Sequence, residues 1–398
     1  MQAVILGPGR IGCGLVGLAL RAGGYDVTFV GRDPELVAHL QRVGGYRVLL
    51  TGGGRSDPHQ VYGVSCLDAR DVEHVAAAVA DADLVATAVG STRLAGVAPL
   101  IAAGLARRGR EPLSILAFEN EADPGRRLGR LVADLLPDRS VPESVGFASA
   151  LAHRVVSRRV GDVRGELPLT FVGDPPAGID VDGSAQSGPI PSMPGLLVTD
   201  DYPGCVRRKM FVFGAGHATA AYLGALKGYH FVHAAVRDPE IRREVFAALR
   251  EGCAALGLTD CGAWHPAAVL RRYENAALDD TVARVGREPL RKLEAGERIV
   301  GPARAAVAAG TPPRALALTA AAALVAAVPT RDPAQTRELL QGVCRLSPRH
   351  GLGREVWRRW ARLADGGGRQ AVLLSLSRPT WSWVARPGPT VPLGGRVA

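Results

Sequence analysis

The chain has 398 residues, of which 47% are hydrophobic, so it can bury a large core and has the length of two domains. Its formal net charge is +10, but the basic residues come in twos and threes without a lysine-rich tail or interleaved aromatics, so we expect no nucleic-acid partner. No run of about 18 apolar residues and no leader pattern occurs, so we expect no membrane partner and a cytoplasmic location. The six cysteines are scattered without a C-x-x-C pair, so we expect reduced thiols and no structural zinc.

In chain order, the first part of the sequence alternates between strand-like and helix-like patterns. Strands are predicted at 2–6, 26–30, 83–90 and 113–118, and helices at 15–22, 35–43 and 99–107. Such alternation implies a parallel sheet that is covered on both faces. Residues 174–204 lack periodicity and read as a linker or irregular excursion, and helices are then predicted at 206–226, 239–256, 267–273, 315–327 and 333–345.

A glycine turn, Gly7-x-Gly9-x-x-Gly12, follows the first strand and opens the first helix. In a dinucleotide-binding turn the first glycine permits a sharp bend, the second admits the pyrophosphate and the third lets the helix pack on the strand. The alternative is a purely structural turn. We therefore predict an α/β protein with an N-terminal Rossmann-type doubly wound sheet over 1–190, a mostly α-helical substrate domain over 191–375, and a tail of uncertain structure over 376–398. The predicted cofactor-binding residues are Leu6, Gly7, Gly9, Arg10, Ile11, Gly12, Arg32, Asp33, Ala88, Val89 and Gly90.

The end of the second strand bears on the choice of cofactor. Dinucleotide folds that select NAD usually place an acid there, whereas this chain has Gly31-Arg32 and then Asp33. A small residue followed by arginine leaves room for a 2′-phosphate and attracts it, which favours NADP over NAD. The alternative is that Arg32 stacks on the adenine while Asp33 still reaches the ribose.

A second group of residues lies on the predicted helix after residue 206. The chain has only three lysines, Lys209, Lys227 and Lys292, so a lysine can mark a place where a proton must leave. On an α-helix, Lys209 and His217 are separated by roughly 80° of azimuth and can face one cleft. Gly214 and Gly216 each cost about 1 kcal/mol there, which suggests that a substrate or the nicotinamide approaches the backbone. The alternatives are a surface lysine and a core histidine with its hydrogen bonds satisfied.

Arginines gather farther along the chain, around turn-forming glycine and proline. Because guanidinium groups bind phosphates bidentately, we predict an anionic part of the substrate there. The candidate substrate residues are Gly214, Arg272, Asn275, Arg287, Arg291 and Lys292. The alternative is a solvated basic face.

Several ordered blocks resemble the long-chain polyol (mannitol) dehydrogenase family from residue 1 to about residue 310. They include the glycine turn, Phe118-Glu119-Asn120, Arg208-Lys209-Met210-Phe211, Gly216-His217-Ala218 and the segments 272–275 and 285–293. The resemblance implies metal-independent hydride transfer, with Lys209 as general acid/base and Asn120 and His217 around the reacting oxygen. Two positions depart from the family pattern, which has asparagine where this chain has Gly214 and an acid where it has Gly31-Arg32.

The sequence therefore predicts an NAD(P)-dependent oxidoreductase that interconverts a secondary alcohol and a ketone on a polyol or sugar phosphate, without a metal. The expected partner is that small molecule, and both a monomer and a dimer stay open. One alternative is a reductase of a cyclitol or of a biosynthetic sugar intermediate. Another is a dinucleotide-binding sensor without catalysis, suggested by Gly214.

Overall fold

Two units make up the chain in the computed structural model, which describes residues 1–160, 169–176, 178–185, 192–258 and 262–365. The first unit is Met1–Arg207 with Ala277–Asp279, and the second is Arg208–Ala276 with Asp280–Ala398. The boundary expected near residue 190 and the tail 376–398 stay predictions, and the tail lies outside the described residues. The observed division falls later because a strand that follows residue 190 joins the sheet of the first unit.

The first unit is built on an eight-stranded sheet. Its strands, in spatial order, are β12 (Leu196–Thr199), β11 (Ile179–Asp182), β8 (Val145–Ala152), β7 (Leu113–Ala117), β6 (Leu84–Thr87), β1 (Gln2–Leu6), β2 (Asp26–Gly31) and β5 (Val64–Asp68). The pairs from β5 to β8 are parallel, and β11 runs antiparallel to β8. The predicted Rossmann-type sheet is confirmed.

Both faces of this sheet are buried. Along β1, Ala3 and Ile5 belong to one hydrophobic cluster, whereas Val4 and Leu6 belong to another on the opposite face. Successive side chains of a strand point to opposite faces, so a strand that is apolar at every position fits a sheet covered twice. The helices of this unit are α1 (Leu18–Ala22), which continues a π-helical segment Gly12–Gly17, α2 (Pro34–Val43), α3 (Val72–Asp81), α4 (Leu94–Leu105), α5 (Pro124–Ala133) and α6 (Tyr202–Arg208).

A second, four-stranded sheet was not predicted. Its order is β4 (Arg55–Tyr62), β3 (Gly45–Gly52), β10 (Thr170–Gly173) and β9 (Val156–Val160). Gly53 and Gly54, with φ of 58° and 77°, form the two-residue turn of the β3–β4 hairpin, where positive φ at both positions favours glycine. The hairpin packs on the main core through Tyr46, whose ring lies edge-on to Phe29 and Phe171.

The expectation of a linker over 174–204 is wrong for its described part. Strands β11 and β12 lie in that segment, pair with each other in parallel and extend the large sheet. Each strand has only four residues, and in β11 only Ile179 and Val181 are buried. Two apolar positions among prolines, glycines and aspartates give too short an alternation to predict a strand.

The second unit is helical, as predicted. Its helices are α7 (Ala215–Leu226), α8 (Val232–Ala235), α9 (Pro239–Ala255), α10 (Pro266–Tyr273), α11 (Val282–Gly286), α12 (Pro289–Leu293), α13 (Val300–Ala308), α14 (Arg314–Ala327), α15 (Pro333–Gly342) and α16 (Gly351–Asp365). The helix predicted at 206–226 exists as a helical run, but Lys209–Gly214 within it is π-helical.

Among the described cysteines, one differs from expectation, and Cys261 lies outside the described residues. Cys13, Cys66, Cys205 and Cys344 are free and buried, as expected. Cys253 is disulfide-bonded, so the expectation of reduced thiols is wrong there. Within the described residues, no helix combines the length and apolar character needed to cross a membrane.

Candidate active site

The glycine turn between β1 and the first helix has a distinct structural reason at each glycine. Gly7 has φ of 109°, and a Cβ atom there would lie 2.7 Å from the Ala88 carbonyl oxygen. At Gly12 a Cβ would lie 2.0 Å from the Gly7 carbonyl oxygen, so this glycine lets the helix meet the strand. No atom lies within 4 Å of a Cβ built on Gly9, so the backbone there is open to a ligand. Bend, close packing and open approach match the three roles of a dinucleotide turn.

A cavity of about 770 Å³ opens over this turn at the carboxyl ends of β1, β2 and β6. Eight of the predicted cofactor residues line it, namely Leu6, Gly7, Gly9, Arg10, Arg32, Asp33, Ala88 and Val89. Ile11, Gly12 and Gly90, which were also predicted, are not among its lining residues. Sequence reasoning missed Pro8, Val30, Leu36, Ala69, Arg93, Val97 and Phe171, which have no polar signature apart from Arg93. The volume and location suit a dinucleotide.

The structure shows contacts of Gly31, Arg32 and Asp33 that the sequence did not suggest. Asp33 begins α2 as its N-cap and accepts a hydrogen bond from the Leu36 N–H at 3.3 Å. The space beside Gly31 is filled by Pro8, whose Cγ lies 2.8 Å from a Cβ built there. Gly31 is therefore explained by packing. Arg32 and Arg93 bring two guanidinium groups to the cavity lining, and the Arg32 side chain reaches the Gly96 carbonyl on α4 at 3.5 Å.

Glu119 organises the loop that follows β6. Its carboxylate accepts hydrogen bonds from the Thr87 hydroxyl at 2.8 Å and from the Val89 N–H at 3.0 Å. Burial raises the pKa of this carboxyl group, and those hydrogen bonds oppose the rise. Asn120 comes directly after Glu119 in the segment that follows β7, in the first unit of the chain. In the sequence, Glu119 stands out only as part of the Phe118-Glu119-Asn120 segment, and the sequence does not show that it is buried.

Lys209 opens the π-helical segment Lys209–Gly214, which α7 continues. Since a π-helix winds more widely than an α-helix, the azimuth of roughly 80° between Lys209 and His217 does not apply. Lys209 is half-buried, and the segment after Met210 is buried. Single turns of this kind occur frequently at functional sites.

At Gly216 other side chains of the protein pack against the backbone. The expectation that a ligand approaches the backbone there is therefore wrong. A Cβ at this position would lie 2.6 Å from Leu249 and 3.1 Å from the Tyr273 hydroxyl. That hydroxyl donates a hydrogen bond to the Phe213 carbonyl at 2.6 Å. Gly216 therefore lets Tyr273 reach the widened part of the helix.

His217 is held on several sides. The Tyr273 ring stacks on the imidazole with centroids 5.0 Å apart, and the Phe213 ring lies edge-on to it at 5.3 Å. The histidine Nε2 lies 3.1 Å from a carboxylate oxygen of Asp280. Asp280 in turn accepts two hydrogen bonds of 2.6 Å from Arg284. Sequence reasoning missed Asp280; its only signal was the four-residue spacing to Arg284.

The predicted anion cluster is partly brought together. Lys292 is buried and donates to the Arg287 carbonyl oxygen, and Arg291 lies 3.3 Å from a Glu288 carboxylate oxygen. Glu288 has φ of 55°, a costly left-handed conformation for a non-glycine residue, and it shapes this turn. Burial, together with the charges of Arg298 and Arg291, lowers the pKa of Lys292 to about 8.

Arg272 has a different neighbourhood, because its guanidinium lies 4.5 Å from the centre of the Phe213 ring, beside His217. Asn275 follows α10 and donates its backbone N–H to the Arg272 carbonyl.

Gly214 faces Arg298. A Cβ on Gly214 would lie 3.2 Å from Arg298 Cβ and 3.5 Å from its Cδ. An asparagine at this position, as in the family pattern, would therefore require the Arg298 side chain to move. Arg298 is mostly buried and pairs with Glu297 at 2.9 Å. No pattern in the sequence marks Arg298, and only the structure shows that it lies next to Gly214.

The grouping of side chains gives no support for a bound metal ion. Over the described ranges, no three histidine, cysteine or carboxylate side chains are grouped so that they could hold a metal ion. Metal independence itself stays a prediction from the resemblance.

Comparison with known proteins gives concordant results. A model of the mannitol dehydrogenase Rossmann domain matches residues 1–184, and one of the mannitol dehydrogenase C-terminal domain matches residues 204–338. A mannitol-1-phosphate 5-dehydrogenase of Geobacillus thermodenitrificans is 36% identical over 317 residues, which cover 76% of this chain and 80% of the relative. Mannitol 2-dehydrogenase of Pseudomonas fluorescens, solved with NAD and D-mannitol, is 17% identical with a TM-score of 0.76 over 95% of each chain. A D-sorbitol dehydrogenase structure is 15% identical with a TM-score of 0.71 over 94% of each chain.

Proposed function

This chain belongs to the mannitol dehydrogenase family, and we propose that it interconverts a secondary alcohol and a ketone on a polyol or sugar phosphate with a nicotinamide cofactor. The family resemblance observed in the sequence is confirmed, and it extends to the similarity with mannitol-1-phosphate 5-dehydrogenase. The proposed substrate class follows that relative and the cationic cluster around Lys292.

The proposed chemistry divides between two groups of residues. When bound at the glycine turn, the nicotinamide cofactor accepts or delivers the hydride. Lys209 takes the hydroxyl proton of the substrate during oxidation and returns it to the alkoxide during reduction. The family resemblance implies that the Asn120 amide and His217 act around the reacting oxygen. No step of this scheme requires a metal.

The preferred cofactor is NADP. Arg32 and Arg93 line the cavity together with Arg10 of the glycine turn, and Asp33 is engaged as the cap of α2. The carboxylate of Asp33 already accepts a hydrogen bond as a helix cap, so we do not assign it to the ribose hydroxyls of NAD. The guanidinium groups suit the 2′-phosphate of NADP. The support for NADP thus comes from Arg32 and Arg93, and the small size of Gly31 adds nothing to it.

An anionic group of the substrate is proposed to bind at the cluster of Arg287, Arg291 and Lys292. Lys292 is buried, and the positive charges of Arg298 and Arg291 act on it together, opposed by the carboxylate of Glu288. Cations gathered around a buried lysine repel one another, so a bound anion stabilises them. Cytoplasmic location and the choice between monomer and dimer stay predictions from the sequence.

The observation that carries the proposal is the π-helical segment that begins at Lys209 and leads to the fixed ring of His217. Its test uses Lys209→Ala and Lys209→Arg. Both variants should lose turnover by about 10²–10⁴ while they keep cofactor affinity. Alanine removes the acid/base group, and the guanidinium of arginine keeps the charge but does not release its proton. Lys227→Arg is the matched control, since Lys227 pairs with Asp238 and Glu240 outside this segment. Substantial activity of Lys209→Arg with an unchanged pH profile would make Lys209 a fixed charge only.

A further inference from the structure

Asp280 is a buried carboxylate whose two oxygens are both engaged by side chains of the second unit. Its Oδ1 accepts from Arg284 Nε, and its Oδ2 accepts from Arg284 Nη2, each at 2.6 Å. The same Oδ2 lies 3.1 Å from His217 Nε2. The Asp280 side chain is 7% exposed, so these contacts are shielded from water.

The main chain fixes Asp280 independently of its carboxylate. Its carbonyl oxygen accepts from the Val232 N–H at 2.9 Å, and the next residue, Thr281, pairs with Phe231 and caps α11. Burial alone would raise the pKa of Asp280, but hydrogen bonds and charges from His217 and Arg284 hold it below its ordinary value. The carboxylate is therefore an ionised acceptor beside the histidine.

The other contacts of the imidazole leave it little freedom. Tyr273 stacks on one face with rings only 7° from parallel, and Phe213 lies against an edge. Tyr273 is itself fixed, because its hydroxyl donates to the Phe213 carbonyl. A ring held in this way can present only one of its two nitrogens to Asp280.

We propose that Asp280 is the positioning residue for His217, which it holds as the Nε2–H tautomer so that Nδ1 is left as an acceptor for a hydroxyl group of the substrate other than the one that loses its proton to Lys209. An ionised carboxylate only accepts hydrogen bonds, so Nε2 must carry the proton. In the neutral imidazole, the other nitrogen then has the lone pair. Arg284 acts behind Asp280, where its fork orients the carboxylate and balances its charge. The proposal rests on the proposed function for the role of His217, but the tautomer itself does not.

The tautomer is tested directly by NMR of the protein labelled with ¹⁵N at histidine, recorded at alkaline pH. His217→Gln identifies the signals of His217 by their loss. The wild type should show the Nε2–H form, and Asp280→Asn should lose this preference because an amide also offers N–H donors. An Nδ1–H form in the wild type, or an unchanged tautomer in Asp280→Asn, would overturn the proposal. This readout needs no turnover, so it decides the proposal even if the proposed function fails.

Kinetics test whether Asp280 acts through His217. Asp280→Asn should lower kcat on the order of 10² with cofactor KM unchanged, because misplacing a group at the active site can cost about that much in rate. In the His217→Ala background, the same substitution should change kcat less than about twofold, because residues that act as a unit are not additive. Equal losses in both backgrounds would show that Asp280 only supports the fold. The matched control is Asp238→Asn, which removes a mostly buried carboxylate paired with Lys227 and leaves kcat unchanged.

Discussion

Glu251 gives the stability of the second unit a specific pH dependence. It lies on α9 and accepts hydrogen bonds from the N–H groups of Ala315 at 2.8 Å and Leu316 at 2.9 Å, at the start of α14. Burial raises the pKa of this carboxyl from 4.5 to about 7. Since the folded pKa lies above the unfolded one, its contribution is complete below about pH 4.5 and is lost as the pH rises through about 7. At about 1.4 kcal/mol per pH unit, the loss is about 3 kcal/mol.

The assay is the melting temperature of the wild type and of Glu251→Gln at about pH 5 and about pH 8. One kcal/mol moves Tm by roughly 2–4 °C in a unit of this size, so the wild type should lose roughly 6–12 °C more than the variant over this range. Asp238→Asn is the control: the pKa of Asp238 is lowered, so its contribution is constant between these two pH values. Equal pH dependence in the wild type and Glu251→Gln would refute the reasoning.

Three further predictions follow from the site and its packing. Arg32→Ala should weaken NADPH binding much more than NADH binding, measured by cofactor titration; equal losses would contradict the preference for NADP. Arg291→Ala should raise KM for a phosphorylated substrate far more than for its dephosphorylated counterpart in steady-state kinetics; a similar change in both would leave only a solvated surface. Gly216→Ala should lower the free energy of unfolding by about 1–3 kcal/mol, because its Cβ would overlap Leu249, whereas Gly342→Ala, with open space, should not.

The nucleotide-binding half of the fold could be predicted because its strands are apolar and its turn carries a spaced glycine pattern. The strands β1, β2, β6 and β7 follow directly from continuous apolar runs. The β3–β4 hairpin and the strand pair β11–β12 could not, since β4 is exposed over most of its length and β11 has only two buried positions. Their place is decided by pairing with distant strands, which a local pattern does not contain.

In the candidate site, residue types were predictable and contacts were not. Lys209 stands out because lysine is rare in this chain, and Lys209 and His217 both match the family motif, but the π-helical turn between them has no sequence signature. The costly glycine at 216 was visible, yet it admits Tyr273 and Leu249 and not a ligand. Asp280 was missed because a lone aspartate beside an arginine four residues on is usually a surface pair.

We expect hydride transfer between a nicotinamide cofactor and a polyol carbon, and this reaction can be tested on the wild-type protein. The protein is incubated with NADPH and a panel of keto-sugars, keto-sugar phosphates and cyclitol ketones, and the absorbance of the reduced nicotinamide is followed. Loss of absorbance with formation of the corresponding alcohol is the predicted result, fastest with a phosphorylated keto-sugar. Tight cofactor binding with no turnover on any member of the panel would contradict the account and leave a dinucleotide-binding sensor.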